Sequence, residues 1–352
     1  MKRIPVIAAS ALLLTACTSQ TTSTDGGSSD GPVTVQLLTH DSFALSEDLI
    51  SEFEESSGID IELVSGGDAG SMVAGAILAA GAPTADVMFG VDNTLITRTL
   101  NEGVFEPYTS PEASALRPEL ADQTFDGRVT PIDFGDVCIN IDDTWFADAG
   151  IAPPESLADL TNPTYRDLLV VQDPGTSSPG LAFLLATVSR YGDDWPSYWQ
   201  QLADNGVKVA GSWSDAYYGD FTFGGGGDRP IVVSYATSPP AEIVYAEGEP
   251  PTQPSTSVMT DGCYRQIEYA GILAGTDQPQ AAQQVIDWLL SPDVQADIPL
   301  NMFVFPARAN TPLPDVFTKF AAQVDDAEQL PPDFVSQNVG DLIAEWGSVM
   351  GR

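Results

Sequence analysis

Three short stretches in the middle of the chain combine hydroxyls, aromatic rings and carboxylates in patterns that suit ligand binding. They are residues 172–180 (QDPGTSSPG), 211–217 (GSWSDAY) and 233–239 (VSYATSP). The first is typical of a strand end, a hydroxyl-rich turn and a helix start, with Ser178 as the N-cap and Pro179 at the first helical position. Free backbone N–H groups at a helix start attract anions, so this turn is predicted to bind polar ligand groups.

The other two stretches place Trp213 and Tyr235 beside hydroxyls and a carboxylate. Aromatic faces attract cations, and such a contact contributes about 0.5–2 kcal/mol. This mixture therefore suits a flat cationic ligand. Packing in the protein interior is the alternative role for Trp213, although its Gly-Ser-Trp-Ser setting is more typical of a loop than of a core strand.

The N-terminus has the features of a processing signal. Lys2 and Arg3 precede a short apolar segment, residues 4–14, which is too short to span a bilayer. Residues 14–17 (LTAC) resemble a bacterial lipobox, and the alternative is an ordinary secretory signal with a chance cysteine. We therefore predict a signal peptide over 1–16, lipidation of Cys17 and a flexible tether over 17–31. The protein would be extracytoplasmic, held at the outer face of the cell membrane by its lipid alone.

Charge and cysteine content agree with an exported protein. The chain has 13 Lys and Arg against 50 Asp and Glu, a net charge of −37. This charge repels phosphate and therefore disfavours nucleic acid and anionic lipid as partners. It fits a cationic solute, although a generally acidic proteome would give the same sign. Cys138 and Cys263 are an even pair in an oxidising compartment, so we predict that they form a disulfide.

The remaining sequence alternates between strand and helix patterns, which predicts an α/β fold with parallel strands. Residues 129–141 and 260–272 are extended segments without helical periodicity, and we interpret them as hinge strands between two lobes. Lobe 1 would comprise 32–132 and 268–305, and lobe 2 would comprise 133–267 and 306–352. Helices are expected over 46–57, 71–80 and 280–290, and residues 224–227 are expected to form a loop.

Together with residues 41–43 (DSF), 91–93 (VDN) and 287–292 (DWLLSP), the three stretches resemble the thiamine-binding subgroup of bacterial solute-binding proteins. The resemblance extends from about residue 33 to the C-terminus. It implies a type II periplasmic-binding-protein fold, in which two α/β lobes joined by hinge strands close on a ligand in the cleft. It also implies a monomer that binds thiamine or a thiamine phosphate, uses no cofactor or metal, and delivers its ligand to an ABC permease and its ATPase.

The resemblance further implies which side chains bind the ligand. Trp213 and Tyr235 would stack on its rings, and two serines would lie near its hydroxyl or phosphate end. Phe303 replaces a tryptophan of the subgroup, and Ala241 replaces a tyrosine for which Tyr245 is a possible substitute. The ten predicted binding residues are His40, Asp41, Asp68, Asp92, Ser177, Ser178, Trp213, Tyr217, Tyr235 and Phe303.

Several of these residues also have ordinary structural roles. Asp68 could be a solvated turn residue, Asp41 and Asp92 could be helix caps, and Ser178 could be a cap only. His40, the single histidine, stands where the subgroup has a tyrosine and could instead be a polar residue at the rim of the cleft.

Two other functions are compatible with parts of the sequence. Tyr217 and Tyr218 resemble the adjacent tyrosines of ferric-iron-binding relatives, and acidic residues near a tryptophan also suit a polyamine. An enzyme is disfavoured because the chain has one histidine and lacks the Gly-x-Ser-x-Gly, His-Glu-x-x-His and phosphate-loop motifs.

Overall fold

The computed structural model describes residues 33–352. The predicted signal peptide, tether and Cys17 lie outside the described residues. The strands are β1 (Val33–Thr39), β2 (Ile59–Ser65), β3 (Val87–Asp92), β4 (Phe105–Glu106), β5 (Thr130–Asp142), β6 (Leu169–Gln172), β7 (Lys208–Ala210), β8 (Ile231–Tyr235), β9 (Thr256–Leu273) and β10 (Phe305–Pro306). The helices are α1 (Glu47–Ser57), α2 (Ala69–Leu78), α3 (Ile96–Asn101), α4 (Asp143–Ala149), α5 (Ser178–Tyr191), α6 (Trp195–Asp204), α7 (Thr222–Gly225), α8 (Pro240–Val244), α9 (Pro279–Leu289), α10 (Pro292–Asn301), α11 (Asp315–Phe320) and α12 (Pro332–Met350).

The main strands are hydrogen-bonded in the order β2-β1-β3-β9-β5-β8-β6-β7. β1 is parallel to β2 and β3, and β6 is parallel to β7 and β8. These two parallel groups, which we call the first and second halves of the sheet, flank the antiparallel pair β5 and β9. The predicted α/β architecture is confirmed.

β5 and β9 connect the two halves of the sheet. They coincide with the two predicted hinge segments and pair along most of their lengths, from Thr130 opposite Ala270 to Asp142 opposite Thr256. A disulfide joins Cys138 on β5 to Cys263 on β9. Residues 33–352 form one compact unit, and the lobe boundaries given above stay a prediction.

The helices cover the faces of the sheet with apolar side chains. Trp346 of α12 packs edge-on against Trp199 of α6 with ring centroids 5.6 Å apart, and both indoles are fully buried. Burial of two such large rings contributes several kcal/mol to stability and fixes the C-terminal helix on the second half. Among the described residues, no helix combines the length and the apolar character needed to cross a membrane.

Some predicted boundaries were wrong by one or two residues. α5 begins at Ser178 rather than after it, because the Leu181 N–H donates to the Ser177 carbonyl and makes Ser177 the capping residue. α2 begins at Ala69 because the Asp68 carboxylate accepts the Ala69 N–H. Residues 224–227 are not wholly a loop, since α7 extends to Gly225 and ends where Gly226 adopts a left-handed conformation.

The disulfide closes a sequence separation of 125 residues, so its loss should matter for stability. In protein that begins at Thr18, thiol titration under denaturing, non-reducing conditions is expected to find no reactive thiol. Replacement of both Cys138 and Cys263 by Ala should lower the free energy of unfolding by about 2–4 kcal/mol in urea titrations. Two reactive thiols in the unreduced protein would contradict the pairing.

Candidate functional site

The carboxyl ends of parallel strands from both halves converge on one cavity. β1 leads into His40, the turn after β2 contains Asp68, the turn after β7 contains Trp213, and β8 ends at Tyr235. Ligands of open α/β sheets bind at such strand ends. The cavity volume is about 630 Å³, which falls in the range of about 300–1,000 Å³ that is usual for small-molecule sites.

Most of the predicted binding residues meet in this cavity. Eight of the ten line it: His40, Asp41, Asp68, Ser178, Trp213, Tyr217, Tyr235 and Phe303. Asp92 and Ser177 do not line it and are almost completely buried. The cavity therefore draws residues from the loops of both halves, although they are up to 263 positions apart in the sequence.

Asp92 lies behind the cavity wall and supports it. Its carboxylate accepts the backbone N–H groups of Thr94 and Leu95 and, at 2.6 Å, the side-chain amide of Gln266. The same amide nitrogen of Gln266 donates to Ser178 Oγ at 2.7 Å. Burial raises the pKa of Asp92 to about 6. Asp92 thus reaches the cavity only through Gln266, which positions the Ser178 hydroxyl.

Asp68 connects the two halves of the site. One carboxylate oxygen accepts the Ala69 N–H at the start of α2, and the other accepts the Trp213 N–H at 2.8 Å. Only 8% of Asp68 is exposed, so it is not the solvated turn residue of the alternative interpretation. Burial raises the pKa of Asp68, and the Trp213 N–H acts in the opposite direction. The carboxylate therefore fixes the Trp213 loop against the first half.

Trp213 is the centre of an aromatic cluster on the second half. The Tyr217 ring stacks on it at 4.9 Å, and the Tyr218 and Tyr235 rings meet it edge-on at 5.4 and 6.4 Å. Trp213 Nε1 donates to Ser234 Oγ at 3.0 Å, which fixes the plane of the indole. Since Tyr217 covers one face of the indole, a ligand ring can stack only on the other.

A second aromatic wall is formed by Phe303 and Tyr245. Their ring centroids are 5.4 Å apart in an edge-on arrangement, and both residues line the cavity. Phe303 has a φ of +54°, an unusual conformation for a bulky residue that is tolerated at sites where the surrounding structure holds it. Tyr245 lies one helical turn beyond Ala241 and supplies a ring on this side of the cavity.

The cavity wall is acidic. Asp41, Asp68, Glu242 and Glu268 line it, whereas none of the lining residues among 33–352 is Lys or Arg. His40 is therefore the one lining side chain that could carry a positive charge. A wall of this kind attracts cations and repels anions, and the apolar rings concentrate that field because they exclude water.

The sequence interpretation missed Glu242 and Glu268. Glu242 accepts hydrogen bonds from the backbone N–H groups of Ser255 and Thr256, and burial raises its pKa. Glu268 is 7% exposed and stands in an otherwise apolar run of β9, residues 267–273. A carboxylate within a strand expected to be buried on both faces was the available signal, because such a group requires a partner or a function.

The two halves approach closely beside Asp68. The Ser71 N–H donates to the Thr176 carbonyl at 3.2 Å, and a Cβ added to Gly70 would lie 2.6 Å from Thr176 backbone atoms. Gly70→Ala should therefore lower the free energy of unfolding by about 1–3 kcal/mol in urea titrations. Gly75→Ala on the same helix meets no atom within 4 Å and should be neutral or stabilising. Equal stability of the two variants would show that this close approach is not populated.

Comparison with known proteins agrees with this architecture. Residues 82–327 match the family model described as bacterial extracellular solute-binding protein. The chain is 30% identical over 321 residues to the thiamine-binding periplasmic protein of Escherichia coli (strain K12), a match that covers 90% of this chain and 93% of the relative. A solved structure named periplasmic thiamin binding protein superposes with a TM-score of 0.79 at 28% identity and covers 93% of this chain and 98% of that chain.

A ferric binding protein from Campylobacter jejuni superposes with a TM-score of 0.72 at 15% identity and covers 90% of this chain and 99% of that chain, a likeness of fold alone. The α/β fold with long crossing strands is thus the periplasmic-binding-protein fold. The match to the family model spans more than half of the chain, and the E. coli relative aligns with nearly all of it. This protein is a non-enzymatic, extracytoplasmic solute-binding protein and belongs to the bacterial extracellular solute-binding protein family.

Proposed function

We propose that this protein captures thiamine, or one of its phosphate esters, and delivers it to an ABC permease and its cytoplasmic ATPase. The main support for this proposal is the cavity itself, which has two aromatic walls and four carboxylates. No Lys or Arg among residues 33–352 lines it. Thiamine has two flat rings, one of which is a permanently cationic thiazolium. The similarity to thiamine-binding relatives supports the same ligand.

The proposed binding mode assigns a role to each part of the cavity. The free face of Trp213 stacks on one ring of the ligand, and Phe303 with Tyr245 encloses the other. Ser178 and the backbone N–H groups at the start of α5 receive the hydroxyl or phosphate end. The two halves close on the ligand by hinge motion about β5 and β9. Ligand contacts to both halves stabilise the closed arrangement, because only that arrangement completes the site.

Ferric iron is less compatible with this site. Iron-binding tyrosines act as phenolates, and burial raises the pKa of Tyr217 above its ordinary value. The Tyr217 ring also stacks on Trp213, and Tyr218 packs edge-on against both. A tyrosine held in an aromatic cluster with a raised pKa is a poor anionic ligand, so these residues serve better as a stacking surface.

The predicted anchor and partners belong to the same proposal. Lipidation of Cys17 and a tether over 17–31 would keep the binding domain near the outer face of the membrane, where a permease collects the ligand. The protein would act as a monomer, since one cavity contains all the proposed contacts. Radiolabelled palmitate or mass spectrometry of the membrane-associated protein tests the anchor, and unmodified Cys17 would contradict it.

Ligand identity is tested by tryptophan fluorescence of protein that begins at Thr18, titrated with thiamine, thiamine monophosphate, Fe³⁺ and spermidine. Saturable quenching by thiamine is expected. Trp213→Ala should weaken binding by about tenfold or more, because stacking and cation–π contacts contribute about 1–2 kcal/mol when desolvated. Trp145→Ala, which removes an indole outside the cavity, should leave the affinity unchanged. Binding of Fe³⁺ or spermidine without binding of thiamine or thiamine monophosphate would show that thiamine is not the ligand.

Tyr245 should contribute to thiamine affinity as part of the second aromatic wall. We expect Tyr245→Ala to weaken binding about fivefold to tenfold, the effect of losing roughly 1 kcal/mol of aromatic contact. Phe334→Ala removes another exposed aromatic ring, on α12 and away from the cavity, and should have no effect. Both affinities can be measured by isothermal titration calorimetry. An unchanged affinity in Tyr245→Ala would mean that Phe303 alone forms this wall.

A further inference from the structure

Three carboxylates stand side by side across three neighbouring strands at the inner side of the cavity. Glu268 on β9 is directly opposite Asp92 of β3 on one side and Asp133 of β5 on the other. Cross-strand partners lie about 4.5–5.5 Å apart at Cβ and share a face of the sheet, and like charges in such pairs repel. Asp92 and Asp133 are fully buried, whereas Glu268 lines the cavity.

The three carboxylates differ in their hydrogen bonds. Asp92 is well satisfied, since it accepts from Thr94, Leu95 and Gln266. Asp133 has no donor for either carboxylate oxygen, although it is completely buried. An ionised carboxylate without a donor in such a place is very unfavourable, and the acidic group beside it, Glu268, is itself an acceptor when ionised. Asp133 and Glu268 can therefore form a favourable hydrogen bond only when one of the two carboxyl groups carries a proton.

Among the described residues, one basic side chain reaches this pair: His40 Nε2 lies 3.4 Å from Glu268 Oε1, within ion-pair distance but without forming a hydrogen bond, and it lowers the pKa of Glu268. Within residues 33–352, Asp133 has no such partner. The other titratable groups that face the pair are Asp92 and Tyr235, which are acidic. Burial raises the pKa of Asp133 to about 7, and burial together with the charge of Asp133 raises the pKa of Glu268 well above its ordinary value.

We infer that Asp133 and Glu268 share one proton in the empty protein and that an organic cation bound against Glu268 displaces this proton into solvent. Both carboxylates are then ionised, and the positive charge of the ligand beside Glu268 takes the place of the charge of the lost proton, which offsets the cost of ionising the buried pair. Glu268 is the residue that contacts the cation, and Asp133 is a positioning residue that acts through it. This inference rests on the proposed function and names the group that recognises the thiazolium or aminopyrimidine part of thiamine.

The direction of the pH dependence follows from proton balance. The empty protein binds more protons than the complex, so acid favours the empty form and affinity rises with pH. The rise is at most about tenfold per pH unit for one proton. It ends at the pH where the empty pair loses this proton without ligand, which lies above the ordinary carboxyl range because burial raises the pKa of both Asp133 and Glu268. A neutral flat analogue such as thiochrome carries no positive charge to replace the proton, so its affinity should not rise with pH.

Calorimetry of thiamine binding at about pH 7 in phosphate and in Tris, whose ionisation enthalpies differ, counts the protons released. Wild-type protein should release a substantial fraction of one proton. Asp133→Asn should bind thiamine with little or no release. The control variant is Asp287→Asn, which changes a carboxylate outside the cavity that accepts hydrogen bonds from the Tyr108 and Ser110 hydroxyls. It should release as many protons as the wild type.

Other outcomes separate this inference from the proposed function. Thiamine binding without proton exchange in the wild type would overturn the inference and leave the function intact. Proton release that is lost in His40→Gln but kept in Asp133→Asn would also overturn the inference, because the proton would then come from His40.

Absence of thiamine binding would overturn the proposed function. Carboxyl ¹³C NMR titration of the empty wild-type protein would still decide whether the pair holds a proton. If both Asp133 and Glu268 titrate with the ordinary pKa values of carboxyl groups, the inference is overturned. The same titration replaces the Asp133→Asn experiment if that variant does not fold.

Discussion

The antiparallel pairing of β5 with β9 organises the whole sheet and the wall of the cavity. These two strands connect the two halves of the sheet, carry the Cys138–Cys263 disulfide and place Asp133 beside Glu268. Their backbone hydrogen bonds fix the register, and the register determines which side chains share the face behind the cavity. A one-residue slip would turn Asp133 away from Glu268 and put apolar neighbours in its place.

This pairing makes the centre of the protein acidic, because it brings Asp92, Asp133 and Glu268 together. The core is dominated by apolar side chains, so the buried carboxylates are costly unless a donor or a proton satisfies them. Asp92 and Asp136 are satisfied in the ordinary way, by neighbouring N–H groups and by Arg265 respectively. Asp133 and Glu268 are not, and Glu268 lines the cavity with Asp133 buried directly behind it. Buried ionisable groups without compensation are concentrated at functional sites, where ligand binding completes them.

Much of the site could be predicted from the sequence because its residues follow strand ends in recognisable local patterns. The serine-rich turn before α5, the Trp213 loop and the Tyr235 strand end all reach the cavity as expected. The roles of individual residues were harder to predict. Asp92 was expected to touch the ligand, but its bonds to Gln266 and to the turn of α3 keep it behind the wall. Glu268 was missed because its environment comes from strands far away in the sequence.

The alternating α/β elements, the two crossing strands and the aromatic and hydroxyl groups of the binding loops can all be predicted from the amino-acid sequence alone. These features follow from hydrophobic periodicity, capping residues and turn residues, which act over a few positions and leave a local pattern. Three contacts become visible only in the folded protein: Asp68 binds the Trp213 loop, Tyr245 packs beside Phe303, and three carboxylates align across β3, β9 and β5. Those contacts join residues 58 to 176 positions apart, and their energies arise from burial, a property that the chain acquires only when distant strands pair.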